Sequence, residues 1–188
     1  MVPLQYIGGI IGIIANIFLF IAIYKNKENK TKVEQNFCFW MCLAILDIIV
    51  LITTIIKDGN YILPLSFAIG SICITFLLLY KKEMKWTIVE TITIVFIFIC
   101  LFVWWRFGET VAIISSVIAI SLSYIPQIKD TIKEPKKTPT KIYLIFTLSE
   151  IISIIGGRDW SIQEQLYATS QLIAGLLIII FSLRNKKI

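Results

Sequence analysis

Long apolar runs separated by short polar connectors extend along the whole chain. Seven such runs can be placed, and each approaches the roughly 20 residues that a helix needs to cross a bilayer. They lie near residues 5–24, 37–56, 61–80, 86–105, 109–127, 141–156 and 163–183. The pattern therefore predicts an all-α integral membrane protein with seven transmembrane helices.

Lysine and arginine are concentrated in every second connector. The connectors at 25–36, 80–86 and 128–141, together with the C-terminal tail, hold 15 of the 18 Lys and Arg residues. Cytoplasmic connectors of membrane proteins carry an excess of these residues. The asymmetry predicts an N-terminus outside, a C-terminus in the cytoplasm and an odd number of spans.

The second half of the chain repeats the pattern of the first. At a shift of 103 residues, ILDIIVLI (45–52) lies over LSEIISII (148–155), which places Asp47 on Glu150. Internal repeats of this kind are found in many transporter folds. We expect two parallel three-helix bundles joined by a linker helix, with the first repeat over 1–83, the linker over 84–107 and the second repeat over 108–188.

Composition fits a lipid-embedded chain and excludes several functions. Hydrophobic residues make up 57% of the chain and charged residues 16%, with a mean hydropathy of +0.85. The net charge of +6 is carried beside the apolar spans, where lysines meet anionic headgroups, so nucleic acid is not an expected partner. The chain has no histidine, and its four cysteines form no C-x-x-C pair. We therefore expect no metal, no cofactor and, without a G-x-S-x-G or paired-aspartate motif, no enzyme.

Asp47 and Glu150 stand in mid-span at matching positions of the two repeats. A carboxylate within a bilayer usually faces a cavity or a partner, because hydrocarbon cannot solvate its charge. Two close carboxylates resist ionising together, so the pair is a candidate to bind a proton, or a cationic or hydroxyl-rich solute. The alternative is structural, with each carboxylate capping a helix or bonding to a hydroxyl. Gln171, another strongly polar side chain within a span, is a further candidate.

A proline interrupts the fifth span near its cytoplasmic end. The pair Pro126-Gln127 follows Ser123 and Tyr124 and precedes Lys133. Proline removes a backbone hydrogen bond and can act as a hinge. At this depth, within this repeat, the segment resembles the PQ-loop superfamily, which includes the SWEET and SemiSWEET sugar transporters.

The resemblance implies a membrane transporter that works by alternating access. Its substrate would be a small polar solute, a sugar or a similar metabolite, and Pro126 and Gln127 would form the cytoplasmic gate or hinge. At a shift of 108 residues the first repeat has Phe18-Leu19 in place of this pair, which predicts asymmetric flexing of the two halves. The expected substrate contacts are Asn16, Asp47, Tyr124, Glu150 and Gln171.

Two questions stay open at this point. Facilitated diffusion and proton coupling both fit, and the carboxylate pair favours protons. A seven-helix ligand-sensing receptor or a non-transporting membrane binding protein is the alternative to a carrier, although a retinal protein is excluded because the last span lacks lysine. The expected partners are a small-molecule substrate, the lipid bilayer and protons, and a homo-oligomer is compatible with the pattern. The high Ile, Lys and Asn content favours the cytoplasmic membrane of a prokaryote.

Overall fold

The computed structural model describes residues 2–25, 33, 35–81 and 88–184. Within these ranges the chain forms seven α-helices and one short 3-10 helix, and no strand. The predicted all-α fold is therefore confirmed. The α-helices are α1 (Val2–Tyr24), α2 (Phe37–Ile56), α3 (Ile62–Tyr80), α4 (Ile88–Phe107), α5 (Glu109–Lys133), α6 (Thr140–Ile155) and α7 (Ile162–Leu183), and the 3-10 helix (Pro135–Lys137) lies between α5 and α6.

Five of these helices are long and apolar enough to cross a membrane. Their apolar segments have mean hydropathies from 1.8 to 2.5. With 16 residues, α6 is about 24 Å long, which is shorter than a hydrocarbon core of about 30 Å. For α4 and α6 the predicted crossing of the membrane, and with it the total of seven spans, stays a prediction. The five segments are Leu4–Tyr24, Phe37–Ile56, Ile62–Tyr80, Thr110–Lys133 and Glu164–Leu183.

Side chains are distributed in the reverse of the pattern of a soluble protein. Large apolar side chains point outward, with Ile10 55% and Phe98 66% exposed. Asp47 and Gln171 are fully buried, and Glu150 is 1% exposed. Hydrocarbon favours an apolar exterior and forces polar groups to find partners inside the protein. This distribution is typical of a multi-pass membrane protein.

The fifth helix is longer than the sequence predicts. The predicted span ends at residue 127, whereas α5 continues through Pro126 to Lys133. Proline lacks a backbone N–H, so the helix loses one hydrogen bond at Pro126. Contacts beyond the proline stabilise the last turns: Thr131 is buried and accepts a hydrogen bond from Thr138 at 3.1 Å. The helix stops ahead of Pro135, because the residue before a proline disfavours the α conformation. The predicted boundary at 127 is therefore wrong.

Six of the helices form a closed ring. α3 packs between α1 and α2, and α7 packs between α5 and α6. The two sets meet where α1 contacts α6 and where α2 contacts α5, while α4 lies outside the ring against α5 and α2. The order around the ring is therefore α1, α3, α2, α5, α7, α6, and the core lies where these helices face one another.

Polar contacts hold the two ends of the bundle. At the end that carries most of the lysine and arginine, here called the basic end, Lys81 after α3 donates to the carbonyl of Tyr24 at 3.3 Å. At the same end Thr140 of α6 donates to Ser182 of α7 at 2.9 Å. The connections at 57–61 and 156–161 lie at the opposite end. Consecutive helices thus run in alternating directions within each set of three.

The first and sixth helices approach closely because small residues line their contact. A Cβ atom added at Gly8 would lie 3.0 Å from the backbone oxygen of Ser149 and 3.0 Å from the backbone nitrogen of Ser153. The Ser149 hydroxyl donates to the Gly8 carbonyl at 2.8 Å. Small residues permit such backbone contact between helices in lipid. The contact between α1 and α6 therefore depends on the absence of a side chain at Gly8.

We predict that Gly8→Ala destabilises the folded protein by about 1–3 kcal/mol, because the added methyl group meets backbone atoms that cannot rotate away. Thermal unfolding of the purified protein in detergent measures the change. Ile10→Ala, on the exposed face of the same helix, is the matched control and should leave the Tm nearly unchanged. Equal Tm values for the two variants would contradict the close approach of α1 and α6.

Candidate functional site

Asp47 joins three helices in the middle of the bundle. Its fully buried side chain accepts a hydrogen bond from the Tyr167 hydroxyl of α7 at 2.8 Å and another from the Ser71 hydroxyl of α3 at 3.2 Å. Leu43 and Val50, a turn before and after it, are also buried, so this face of α2 points to the core. A buried carboxylate needs such partners to offset the loss of water. Each carboxylate oxygen of Asp47 therefore accepts a hydrogen bond.

Glu150 is equally buried on α6 but lacks such partners. Its side chain is 1% exposed, and its Oε2 atom has no hydrogen-bond partner among the described residues. Gly175 of α7 leaves space beside it, since a Cβ atom there would lie 3.4 Å from Oε2. A buried carboxylate in this situation requires a proton or a cationic ligand. Of the two matching carboxylates, Glu150 is therefore the one with an oxygen atom that lacks a hydrogen-bond partner within the described structure.

A central cavity lined mainly by aromatic side chains contains Glu150 in its wall. The rings pack against one another, as for Phe39 and Tyr124, whose centroids lie 4.9 Å apart at an interplanar angle of 64°. About 10 Å³ is open to the centres of water-sized molecules, which is room for about one water. The cavity is therefore closed in this conformation. Its lining residues are Phe39, Trp40, Leu43, Phe67, Tyr124, Tyr143, Phe146, Glu150 and Gly175.

Four of the lining residues occupy matching positions in the two halves of the chain. At the shift of 103 residues that superposes the two carboxylates, Trp40 falls on Tyr143 and Leu43 falls on Phe146. Two of these come from α2 and two from α6. Their spacing from the carboxylate, four and seven residues, is that of one helical face. The similarity between the two halves thus coincides with the faces that line the cavity.

Gln35 closes the cavity at the basic end. It lies just before α2, is buried, and accepts on its Oε1 atom hydrogen bonds from Trp40 Nε1 at 2.9 Å and from the Tyr143 hydroxyl at 3.4 Å. Since the two donors belong to α2 and α6, one amide oxygen links the halves of the ring. The sequence analysis missed this residue, and nothing distinguishes it in its polar connector. Trp40 and Tyr143 could have been recognised from the sequence, because they match each other when the alignment of the two halves at a shift of 103 residues is continued toward the start of each helix.

Polar contacts around Glu164 close the opposite end. The Glu164 carboxylate is buried at the start of α7 and accepts hydrogen bonds from Gln5 Nε2 at 2.9 Å and from Arg158 Nε at 2.8 Å. Nearby, Asn60 in the connection after α2 donates to the Ser153 hydroxyl of α6 at 3.0 Å. These contacts join α1, α6, α7 and the connection between α2 and α3.

Arg158 and Asp159, in the connection between α6 and α7, lie outside the membrane-spanning segments. The hydrogen bond to Glu164, together with its charge, raises the pKa of the Arg158 guanidinium above its usual value. Hydrogen bonds from the side chain and backbone of Ser161 hold the pKa of Asp159 below its usual value. Both groups are therefore charged at neutral pH, and the contact between Arg158 and Glu164 is an ion pair.

Four of the five expected substrate contacts lie in the cavity wall or directly behind it. Tyr124 and Glu150 line the cavity. Tyr124 donates its hydroxyl hydrogen bond to Gln171, which is fully buried on α7. Asp47 lies behind the wall, because its donor Tyr167 packs on the lining residue Phe67, with ring centroids 6.2 Å apart. No hydrogen bond joins Asp47 to Glu150 within the described structure, so the two carboxylates are not in direct contact.

The fifth expected contact, Asn16, lies elsewhere. Its amide nitrogen donates to the carbonyls of Gly12 at 3.0 Å and Ser66 at 3.4 Å, and its side chain packs on Gly70. It borders an apolar groove between α1 and α3 that also includes Cys73. The structure therefore places Asn16 in the contact between these two helices and not in the wall of the cavity.

The expected gate residues lie between the cavity and the basic end. Pro126 is half-buried within α5, one residue before the predicted end of the fifth span at residue 127. Gln127 is buried, its Oε1 atom has no partner in the described structure, and it lines a polar recess with Asp130 and Lys133. The gating role of this pair stays a prediction.

The described ranges contain no group of three or more cysteine or carboxylate side chains that could hold a metal ion. Comparisons with protein-family models, with characterised proteins and with solved structures find no match. The case for a function therefore rests on the residues and their geometry.

We predict that Tyr167→Phe destabilises the protein by about 1–3 kcal/mol, because it leaves one oxygen of the buried Asp47 carboxylate without a donor. Thermal unfolding in detergent measures the loss. The same substitution at the exposed Tyr6 is the control and should change stability little. In a double-mutant cycle, Asp47→Leu, which removes the acceptor, should cost less stability in the Tyr167→Phe background than in the native protein. Strict additivity of the two substitutions would contradict the contact.

Proposed function

We propose that the chain is a seven-span membrane transporter of the three-plus-one-plus-three plan, which moves a small polar solute by alternating access. The packing order supports this plan. Exchanging α1 with α5, α2 with α6 and α3 with α7 leaves the order of helices around the ring unchanged. A pseudo-two-fold axis between parallel repeats has this property. In this proposal α4 is the linker helix, with the repeats at 1–83 and 108–188.

One observation carries the functional part of the proposal. A closed cavity lies between the two sets of three helices, and its wall contains Glu150, whose Oε2 atom has no hydrogen-bond partner among the described residues. Separate polar contacts close it at each end, through Gln35 at the basic end and through Glu164 and Asn60 at the other. A carrier needs a site that opens to one side at a time, and each closure here can break while the other stays intact.

The movement follows from these contacts. Opening at the basic end separates α2 from α6 and breaks the hydrogen bonds of Trp40 and Tyr143 to Gln35. Opening at the opposite end separates α1 from α7 and breaks the bond between Gln5 and Glu164. The proline within α5 supplies a hinge between the cavity and the basic end of that helix. Glu150 then becomes accessible from each side of the membrane in turn, and it carries a proton or a cationic solute.

Uptake into proteoliposomes tests transport. The purified protein is reconstituted and screened by counterflow against labelled sugars, vitamins, amino acids and small amines. We expect uptake of at least one solute, and we expect Glu150→Gln to reduce it by about ten-fold or more, as for loss of a buried charged contact. Ile151→Ala, the exposed neighbour on the same helix, should retain uptake.

The outcome also separates a carrier from a sensor and the two modes of coupling. A solute that raises the Tm but does not cross the membrane would contradict transport and support a ligand-sensing protein. Uptake that is unaffected by a pH gradient, and that survives Asp47→Asn and Glu150→Gln at every pH, would contradict proton coupling.

Cross-linking the end opposite to the basic end tests alternating access. Cysteines at positions 60 and 153 replace Asn60 and Ser153, whose side chains are in direct contact, in a background with the four native cysteines changed to alanine. We expect oxidation to stop uptake and reduction to restore it, because this end can no longer open. The two single-cysteine variants are the controls. Full uptake by the cross-linked protein would contradict the proposed opening at this end.

A further inference from the structure

The cavity has an unusual lining for a polar solute. Six of its nine lining residues are aromatic, two are Leu43 and Gly175, and the remaining one is Glu150, which carries the only charged group. The aromatic residues come from four different helices, so their rings surround the space instead of covering one side of it. They are Phe39, Trp40, Phe67, Tyr124, Tyr143 and Phe146.

The polar atoms of these aromatic side chains already donate hydrogen bonds to other residues of the protein. The Tyr124 hydroxyl donates to Gln171, and the Tyr143 hydroxyl and Trp40 Nε1 both donate to Gln35. Glu150, in contrast, has an oxygen without a hydrogen-bond partner among the described residues. Three atoms behind the lining, Gln35 Nε2, Gln171 Nε2 and Thr147 Oγ1, also lack a partner in the described structure. The lining residues themselves offer a solute one acceptor group with negative charge and the faces of aromatic rings.

This combination decides between two classes of solute. A sugar carries many hydroxyl groups, and each one that is buried without a partner weakens binding. Among the nine lining residues only Glu150 has a buried polar atom without a partner in the described structure, and one such atom cannot serve them all. A substituted ammonium ion needs only a counter-charge and ring faces, and the attraction of a cation to an aromatic face is strongest where water is excluded. The carboxylate and the rings provide both.

We infer that the transported solute is a small organic cation with an amino or methylated ammonium group, held by Glu150 and enclosed by the aromatic side chains. This inference rests on the proposed transport function. The rings pack against one another and fill the space: the centroids of Phe67 and Phe146 lie 5.4 Å apart, and those of Phe39 and Tyr124 lie 4.9 Å apart. Each of these contacts joins the two sets of three helices, so a cation replaces them with ring–cation contacts as the two sets separate.

Binding is tested on the full chain purified in detergent, with five probes. Ethanolamine, dimethylethanolamine and choline are cations of increasing methylation; 3,3-dimethylbutanol is the neutral isostere of choline; glucose represents hydroxyl-rich solutes. We expect at least one cation to raise the Tm and to bind at least about ten-fold more tightly than the isostere or glucose, a difference of about 1.4 kcal/mol. Equal affinity for choline and its isostere, or tighter binding of glucose, would overturn the inference, as would binding of none of the three cations.

Two variants locate the site. Glu150→Gln removes the charge and should weaken the best cation by about ten-fold or more, while Ile151→Ala should leave it unchanged. Phe146→Leu keeps an apolar side chain but removes one ring face, so it should weaken the cation several-fold without changing the weak affinity for the isostere. If Glu150→Gln does not fold, Phe146→Leu alone decides, and unchanged cation affinity in that variant overturns the inference.

Flux in proteoliposomes separates this inference from the function on which it rests. Binding of a cation without uptake supports the cation site and contradicts transport. Uptake of a neutral sugar that does not depend on Glu150 supports transport and overturns the cation site. Uptake of a cation that Glu150→Gln abolishes supports both.

Discussion

The two hydrogen bonds of Asp47 hold the middle of the bundle together. Their donors, Tyr167 and Ser71, belong to α7 and α3, so one carboxylate connects the two sets of three helices. In hydrocarbon no water can replace a lost partner, and a bare carboxylate at this depth is strongly unfavourable. The contact therefore sets the rotation of α2, and with it the direction in which Trp40 and Leu43 face the cavity. In the proposed transport cycle the two ends open in turn while this central connection persists.

The part of the structure that sequence reasoning predicted follows from the chemistry of lipid. An apolar run must be a helix, because its backbone cannot bond to water, and a carboxylate within it must point inward. Asp47 and Glu150 are buried for this reason, and the helices begin and end within a few residues of the charged connectors. The predicted end of the fifth span was wrong because the composition of residues 128–133 suits either a polar connector or the final turns of a helix. Packing of Thr131 decides between them.

The part that could not be predicted depends on which helices meet. Asp47 finds its donors 24 and 120 residues away along the chain, and no local pattern reports such distances. Asn16 is polar and mid-span like the other candidates, yet a close contact between α1 and α3 places it away from the cavity. The role of Gln35 is hidden for a similar reason, since a glutamine in a polar connector carries no signal until α2 and α6 bring Trp40 and Tyr143 to it.

Asp47 and Glu150 occupy matching positions, yet one is bonded twice and the other keeps an oxygen without a partner among the described residues. Two identical three-helix chains assembled about a true two-fold axis would have the same residue, with the same neighbours, at both positions. Under the proposed repeat plan, joining the halves in one polypeptide removes that requirement, so each position can acquire substitutions of its own. One carboxylate is then free to maintain the fold while the other is free to take up a ligand.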